Sequence, residues 1–383
     1  MKKIYYGHQH VTEEDIQSVV DVLRSDYLTQ GPKVAEFEEA FANYLGVKYA
    51  VAVSNGTAAL HLCTLAIGVK EGDKVITTPI TFIASANCVR YANGEVVFAD
   101  IDPETWLLDV KKVRMLLEAA PSGTYKGIIP VDFTGRAVDL EAFRQLADEY
   151  GLWIIEDACH APGGYFTDNN GQNQNCGNGN YADLAMFSFH PVKHITTGEG
   201  GMITTNNEKL YHKLRKLRAH GIQQIPELNQ YNHGPWYYEM QELGFNYRLT
   251  DIQAALGSSQ IKRAETKLKK REEIAAIYAN AFSGKNYVIR QVGVVPGHAY
   301  HLYIAEFKDR DRLYTHLRKN NIFVQVHYIP VHLMPYYRQF GWEEGDFPQA
   351  ENYYMNCLSL PIYTTLTNEE LAYVIKSIEE FYT

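Results

Sequence analysis

Cysteine is scarce in this chain, with five residues (Cys63, Cys88, Cys159, Cys176 and Cys357) in 383. They are scattered, odd in number and form no CxxC pair, so neither a disulfide framework nor a thiolate zinc site is indicated. Long apolar runs are also missing, since no stretch approaches the roughly 20 apolar residues of a membrane-spanning helix. The opening MKKIYYGHQHVTEEDI turns polar and acidic at once, without the apolar centre of a secretory signal. Together these absences give a reducing, cytoplasmic setting as the expectation. Positive charge is in deficit: 36 Lys and Arg stand against 45 Asp and Glu, a net charge of −9. That balance argues against nucleic acid or an anionic membrane as the main partner, though not against a local pocket for a small anion.

Tyrosine, by contrast, is abundant, at 28 residues. Buried tyrosine usually packs its ring and hydrogen-bonds its tip, and some of these could line a ligand cleft. Apolar residues recur at helical spacing after Thr12, a plausible N-cap, and again in GPKVAEFEEAFANYLG, with Pro32 near the start and Gly46 past the end. A different rhythm follows. Short β-rich runs (YAVAVS, KVITTP, VVFADI, GIIPVD, WIIEDA, LAMFSF, GGMITT) alternate with helical stretches such as TAALHLCTLAIG and DLEAFRQLADEYG. Several runs are apolar at consecutive positions, as strands covered on both faces must be. The alternation predicts an α/β fold with a mostly parallel sheet wrapped by helices. LAMFSF and GGMITT are separated by a connection too short for a helical crossover, so at least one strand runs antiparallel.

From Thr250 to Phe282 the chain reads as one long, charged amphipathic helix. A second, smaller α/β stretch follows, with strands expected in YHLYIAEF and IFVQVHYIP and helices in DRDRLYTHLRKN and LTNEELAYVIKSIEEFY. The domain change is placed near residue 250, giving a large domain over 1–250 and a small one over 251–383. The segment Thr167–Asp183 (TDNNGQNQNCGNGNYAD) is polar and rich in Asn and Gly, and reads as a mobile surface loop.

Three segments carry chemistry. SNGTAAL, Ser54–Leu60, follows a strand and opens a helix, where free backbone N–H groups and the helix dipole can cradle a phosphate. It contains no GxGxxG and no GxxxxGK[ST], so dinucleotide and nucleoside-triphosphate readings lose their usual support. A simple cap by Ser54 or Asn55 is the plainer alternative. IIEDACHAPGG puts Asp157 at the carboxyl end of a buried strand, the edge where open α/β sheets bind ligands. FSFHPVKHITTGEGG offers Lys193, flanked by His190 and His194. Those histidines are four apart, as a helical metal pair would be, but Pro191 and the glycines favour a turn, and no metal is expected. An anion cradle, a carboxylate and an amine are the parts that pyridoxal 5'-phosphate (PLP) requires: one for its phosphate, one to keep its pyridine nitrogen protonated, one to hold it covalently and move protons.

The full set of motifs resembles the DegT/DnrJ/StrS family of PLP-dependent nucleotide-sugar aminotransferases. It comprises YLTQGP, SNGTAAL, ITTPITFIASAN, EDACHAPGG, FSFHPVKHITTGEGG, GFNYRLTDIQAALG, QVHYIP and SLPIY, running from residue 28 to the C-terminal region. Within the family, the chain is most similar to the pseudaminic acid subgroup. The resemblance implies the PLP-dependent transferase fold type I and transfer of an amino group from glutamate to carbon 4 of a UDP-linked 4-keto-6-deoxy-N-acetylhexosamine. Bacillosamine- or perosamine-type sugars are the alternative substrates, and a non-enzymatic relative is a remote one. Family relatives that deoxygenate sugars carry histidine where this chain has Lys193.

Carried over position by position, the resemblance makes Lys193 the cofactor's covalent anchor and Asp157 the partner of its ring nitrogen. His160 falls near the phenolic oxygen, Phe82 stacks on the ring, and Gly56, Thr57 and Ser188 contact the phosphate. Asn246 corresponds to an asparagine that reaches the phosphate in the neighbouring subunit, which implies a homodimer with shared active sites. Arg248, His327 and Tyr328 fall close to the sugar diphosphate. The 167–183 segment is longer and richer in Asn and Gly than the subgroup implies, and could affect substrate choice if it folds over the cleft.

Overall fold

A computed structural model describes residues 2–222, 229–231 and 233–383. All seven β-rich runs noted above enter one sheet: β2 (Tyr49–Val53), β3 (Lys74–Thr77), β4 (Glu95–Phe98), β5 (Tyr125–Ile129), β6 (Trp153–Asp157), β9 (Leu184–Ser188) and β10 (Gly201–Thr205). Their order is β2-β10-β9-β6-β5-β3-β4. Only β10 is reversed; it pairs antiparallel with β2 on one side and β9 on the other. The short connection carrying Lys193 thus joins two adjacent antiparallel strands, as its length requires.

Both sheet faces are covered, which explains the unbroken apolar runs. Val51 and Val53 of β2, Met186 of β9 and Ile203 of β10 enter one core, while Ala50, Ala52, Phe187 and Met202 enter another. The period-two alternation of a strand divides neighbours between the faces. The first core is closed by α3 (Gly56–Ile67), α4 (Ala84–Tyr91) and α7 (Glu208–Arg218), the second by α2 (Pro32–Leu45) through Phe37 and Phe41. Between these elements lie α1 (Glu13–Leu23), α5 (Val110–Glu118) and α6 (Leu140–Tyr150). Thr12 and Asp15 form a capping box at the start of α1, and Gly46 ends α2 at φ +75°, where a side chain would be strained.

The expected single helix over 250–282 is instead two, α8 (Asp251–Ile261) and α9 (Ala264–Phe282). Arg263 breaks the run with a non-helical backbone, and its guanidinium reaches the buried Asp15 carboxylate. Helix α8 packs on α1 and α2, whereas α9 supplies Ile274, Tyr278 and Phe282 to a separate core. That core is built on an antiparallel sheet, β11 (Val288–Gln291), β12 (Tyr303–Phe307) and β14 (Cys357–Leu360), in the order β11-β12-β14. Of IFVQVHYIP, Ile322–Phe323 alone form a strand, β13, which pairs in parallel with β1 (Ile4–Tyr5).

The 167–183 segment carries regular structure: its start closes a hairpin between β7 (Tyr165–Thr167) and β8 (Asn173–Asn175). Its amides form a buried network: Gln174 donates to Asp168 at 2.8 Å and accepts from Asn178 at 2.9 Å and Asn180 at 2.8 Å. It does not cover the cleft, because it packs on the sheet through Gly177, which meets Glu156 and Thr204. Its Asn and Gly content serves internal hydrogen bonding.

Candidate active site

The carboxyl ends of β2, β6 and β9 open on one edge of the sheet, as expected for a ligand site in an open α/β fold. A cavity of about 1070 Å³ lies there. Gly56, Thr57, Phe82, Asp157, His160, Ser188, Lys193, His327 and Tyr328 all line it. The sequence had marked every one of them.

Helix α3 points its N-terminus into this cavity. Asn55 caps it, its side-chain oxygen accepting from the Ala58 amide at 2.8 Å, so the plainer capping reading holds as well. The amides of Gly56 and Thr57, first in the helix, have no intrahelical acceptor and remain available to an anion. Ser188, at the end of β9, stands beside them. A Cβ added at Gly56 would lie 3.0 Å from the Ser188 Cβ, so glycine leaves open the space that a phosphate would occupy.

Asp157 is buried at the end of β6. Its Oδ2 accepts a 2.6 Å hydrogen bond from Ser85 Oγ and its Oδ1 a 3.2 Å bond from the Cys159 amide. Its own amide donates to the Pro130 carbonyl at 2.9 Å. The carboxylate is thereby aimed and held, with no cation bonded to it among the described residues. That is the donor set a protonated pyridine nitrogen would complete.

Lys193 sits on a turn. Its amide donates to His190 O at 2.9 Å, and the Thr197 amide closes the turn onto Phe189 O at 3.0 Å. Without a helix, His190 and His194 part company: His190 is exposed at the cavity, while His194 is buried and its Nε2 meets Ala299 O at 2.6 Å. Burial lowers the Lys193 amine below the ordinary lysine range. Its Nζ lies 3.4 Å from His301 Nε2. His160 lies against the same ring in a tilted arrangement, with centroids 4.3 Å apart, and its Nε2 is 3.4 Å from Tyr328 Oη. Burial also depresses both imidazoles, and His327 is lowered to about 3, so these rings are neutral near pH 7. His160 Nδ1 has no partner among the described residues.

Two marked residues do not join the cavity. Asn246 is exposed, its backbone bridged to Ala219. Arg248 lines a different cavity of about 470 Å³ with Gln30, Arg215 and Arg218. Tyr247, between them, does line the main cavity, and its Oη contacts His61 Nδ1 at 3.2 Å. Sequence reasoning missed Ser85 and His301. Ser85 lay inside a matching motif but carried no signal of its own, and His301 was hidden in a run that reads as strand.

Behind Asp157, on the opposite face of β6, Glu156 meets Asp132 and Cys176, with ligand-type atoms all within 4.8 Å. Both oxygens of Glu156 accept from the Gly177 amide at 3.0 Å, and Asp132 Oδ1 accepts from the Val138 amide at 2.9 Å. Asp132 Oδ2 has no donor among the described residues. Burial raises Asp132 to about 6 and Glu156 well above its usual range. Two buried carboxyls without a cation favour sharing a proton, and the unpartnered Asp132 Oδ2 offers it a place. The folded protein therefore keeps a proton that the unfolded carboxyls release near pH 4, so this pair makes stability fall as pH rises above about 4. In Glu156→Gln, which mimics the protonated acid, that fall is expected to shrink, because only the buried Asp132 still titrates. Thermal melts should show the variant gaining on the wild type from pH 4.5 to pH 7; parallel curves would exclude the shared proton.

Residues 9–379 match the DegT/DnrJ/EryC1/StrS aminotransferase family. The chain is 40% identical over 384 residues to the spore coat polysaccharide biosynthesis protein SpsC of Bacillus subtilis, covering 98% of this chain and 96% of that one. It is 37% identical over 377 residues to the UDP-4-amino-4,6-dideoxy-N-acetyl-beta-L-altrosamine transaminase of Campylobacter jejuni, covering 97% and 95%. Among solved structures, Helicobacter pylori PseC, described as an aminotransferase involved in the biosynthesis of pseudoaminic acid, superposes with a TM-score of 0.89. It is 31% identical, with 99% of each chain covered.

Proposed function

The chain belongs to the DegT/DnrJ/EryC1/StrS aminotransferase family, and we propose that it transfers the amino group of glutamate to carbon 4 of a UDP-linked 4-keto-6-deoxy-N-acetylhexosamine, as in pseudaminic acid formation. It is a PLP-dependent sugar aminotransferase. The convergence of Lys193, Asp157 and the α3 N-terminus on one cavity supports the PLP chemistry, and the similarity to an altrosamine transaminase supports the finer reading of the sugar.

When bound, PLP supplies an electron-withdrawing ring that stabilises the carbanion left by removal of a proton next to nitrogen. The chain's residues do the rest. Lys193 anchors the cofactor and then, as a free amine, takes the proton from the α-carbon of glutamate; in the second half-reaction it delivers a proton to carbon 4 of the sugar. A lysine whose amine is lowered by burial is suited to both steps. Asp157 keeps the ring nitrogen protonated, and Ser85 keeps Asp157 in place. Gly56, Thr57 and Ser188 would hold the phosphate, Phe82 would cover the ring, and the neutral His160 would lie near the phenolic oxygen. Glutamate leaves as 2-oxoglutarate, so nitrogen and electrons balance over the two halves. His327 and Tyr328 face the sugar. In a homodimer, the exposed Asn246 and the separately placed Arg248 would serve the partner's site, where a guanidinium suits a diphosphate.

A panel of 4-keto-6-deoxy sugars tests the substrate. With glutamate as donor, the UDP-linked altro-configured N-acetyl sugar is expected to turn over at least about tenfold faster than the gluco isomer or a GDP-linked sugar. Turnover of the gluco isomer alone would assign the bacillosamine type, and of the GDP sugar alone the perosamine type.

A further inference from the structure

Lys193 must spend part of each cycle detached from the cofactor, and its long side chain then needs a defined resting place. We propose that His301 is the positioning residue that receives the detached amine, its imidazole accepting a hydrogen bond from Lys193 Nζ. This inference rests on the reading of Lys193 as the cofactor's anchor.

The geometry is direct, with Nζ and His301 Nε2 3.4 Å apart. A neutral imidazole carries a lone pair on one ring nitrogen only. For Nε2 to accept, the ring proton sits on Nδ1, which has no partner among the described residues, so the Lys193 amine is what selects this tautomer.

The backbone around His301 is pinned from several directions. The Ala299 amide donates to Gly135 O at 2.7 Å and the Leu302 amide to Thr134 O at 3.1 Å. Buried Arg271 of α9 donates through Nη1 to the carbonyls of Tyr300 and His301, at 3.0 and 3.2 Å. Tyr300 has φ +49°, a strained value for a non-glycine residue, and its amide is held by His298 Nδ1 at 2.8 Å. Gly135, at φ +102°, fits between the segments: a Cβ there would lie 2.8 Å from His160 O and 3.0 Å from the His301 amide. A ring held this firmly can set the position of a flexible four-carbon side chain.

The charged and titratable groups around the amine are Asp157, Cys159, His160, His194, His327 and Arg271. Asp157 is the one carboxylate among them and already accepts from Ser85 and the Cys159 amide. His301 is the one side chain recorded within hydrogen-bond distance of Nζ among the described residues.

The test uses full-length protein freed of cofactor. Acetylation of Lys193 by trace acetic anhydride is followed by peptide mass spectrometry across pH, with exposed lysines as internal standards. In His301→Leu the ammonium loses its one side-chain acceptor, replaced by an apolar group. The midpoint is expected to move down by about one pH unit or more, which is about tenfold in reactivity below the midpoint. His301→Gln, which restores an acceptor, should return it to the wild-type value. An unchanged or raised midpoint in His301→Leu overturns the proposal, as does a Gln variant that behaves like Leu. Should the Leu variant fail to fold, His301→Asn, whose amide is too short to reach, must show the downward shift instead. The anchor assignment is tested separately, by borohydride reduction of the loaded enzyme, so failure of one is distinguishable from failure of the other.

Discussion

Lys193→Ala is expected to abolish amino transfer, lowering kcat by at least about 10⁴-fold, and to leave a protein that binds PLP without a covalent bond. Two functions vanish with one amine, the anchor and the proton carrier. Lys193 is the only lysine lining the main cavity among the described residues, so no neighbour can substitute. Lys267, the other lysine near it, is held behind the turn by His194 O and the Gln260 side chain. Borohydride reduction followed by mass spectrometry should find the cofactor on the peptide containing Lys193 in the wild type and on no peptide in the variant. Covalent retention by Lys193→Ala, or a rate within tenfold of wild type, would remove the lysine from its role.

Asp157→Ala comes second, with an expected loss of about 10²–10⁴-fold in kcat and a smaller effect on cofactor affinity. The argument is electrostatic. A carboxylate buried beside the ring nitrogen favours the protonated ring far more strongly than water would, because the surrounding dielectric is low and its own orientation is already fixed by Ser85 and the Cys159 amide. Asp157→Asn keeps the shape and loses the charge, so it should fall close to the alanine variant. Single-turnover rates with glutamate, measured beside cofactor dissociation constants, separate the two effects. An asparagine variant with near-normal turnover would show that shape rather than charge is what the ring requires.

Both residues were legible in the sequence because their signals are local. Asp157 ends a strand whose consecutive apolar residues mark it as buried, and Lys193 sits on a connection too short for anything but a turn. The strands were legible for the same reason, since period and run length report on immediate neighbours. Locality also misled. The 250–282 stretch keeps one helical pattern, yet Arg263 leaves it to reach Asp15. The polar 167–183 segment reads as a loop because hydrogen bonds among its own amides and two outside partners, Glu156 and Thr204, leave no hydrophobic period.

By itself, then, the amino-acid sequence determined the strands of the sheet, a reversal between LAMFSF and GGMITT, and the placing of Gly56, Asp157 and Lys193 at a helix start, a strand end and a turn. Each of these follows from hydrophobic period, turn chemistry and strand-end position, which are properties of short windows. The tertiary structure alone decided what surrounds the reacting groups. Ser85 reaches Asp157 across 72 residues and His301 reaches Lys193 across 108, while Asp132 and Glu156 share a proton only because two adjacent strand ends bury them together. Such pairings depend on which elements pack side by side and how far water is excluded. A residue's own window carries neither.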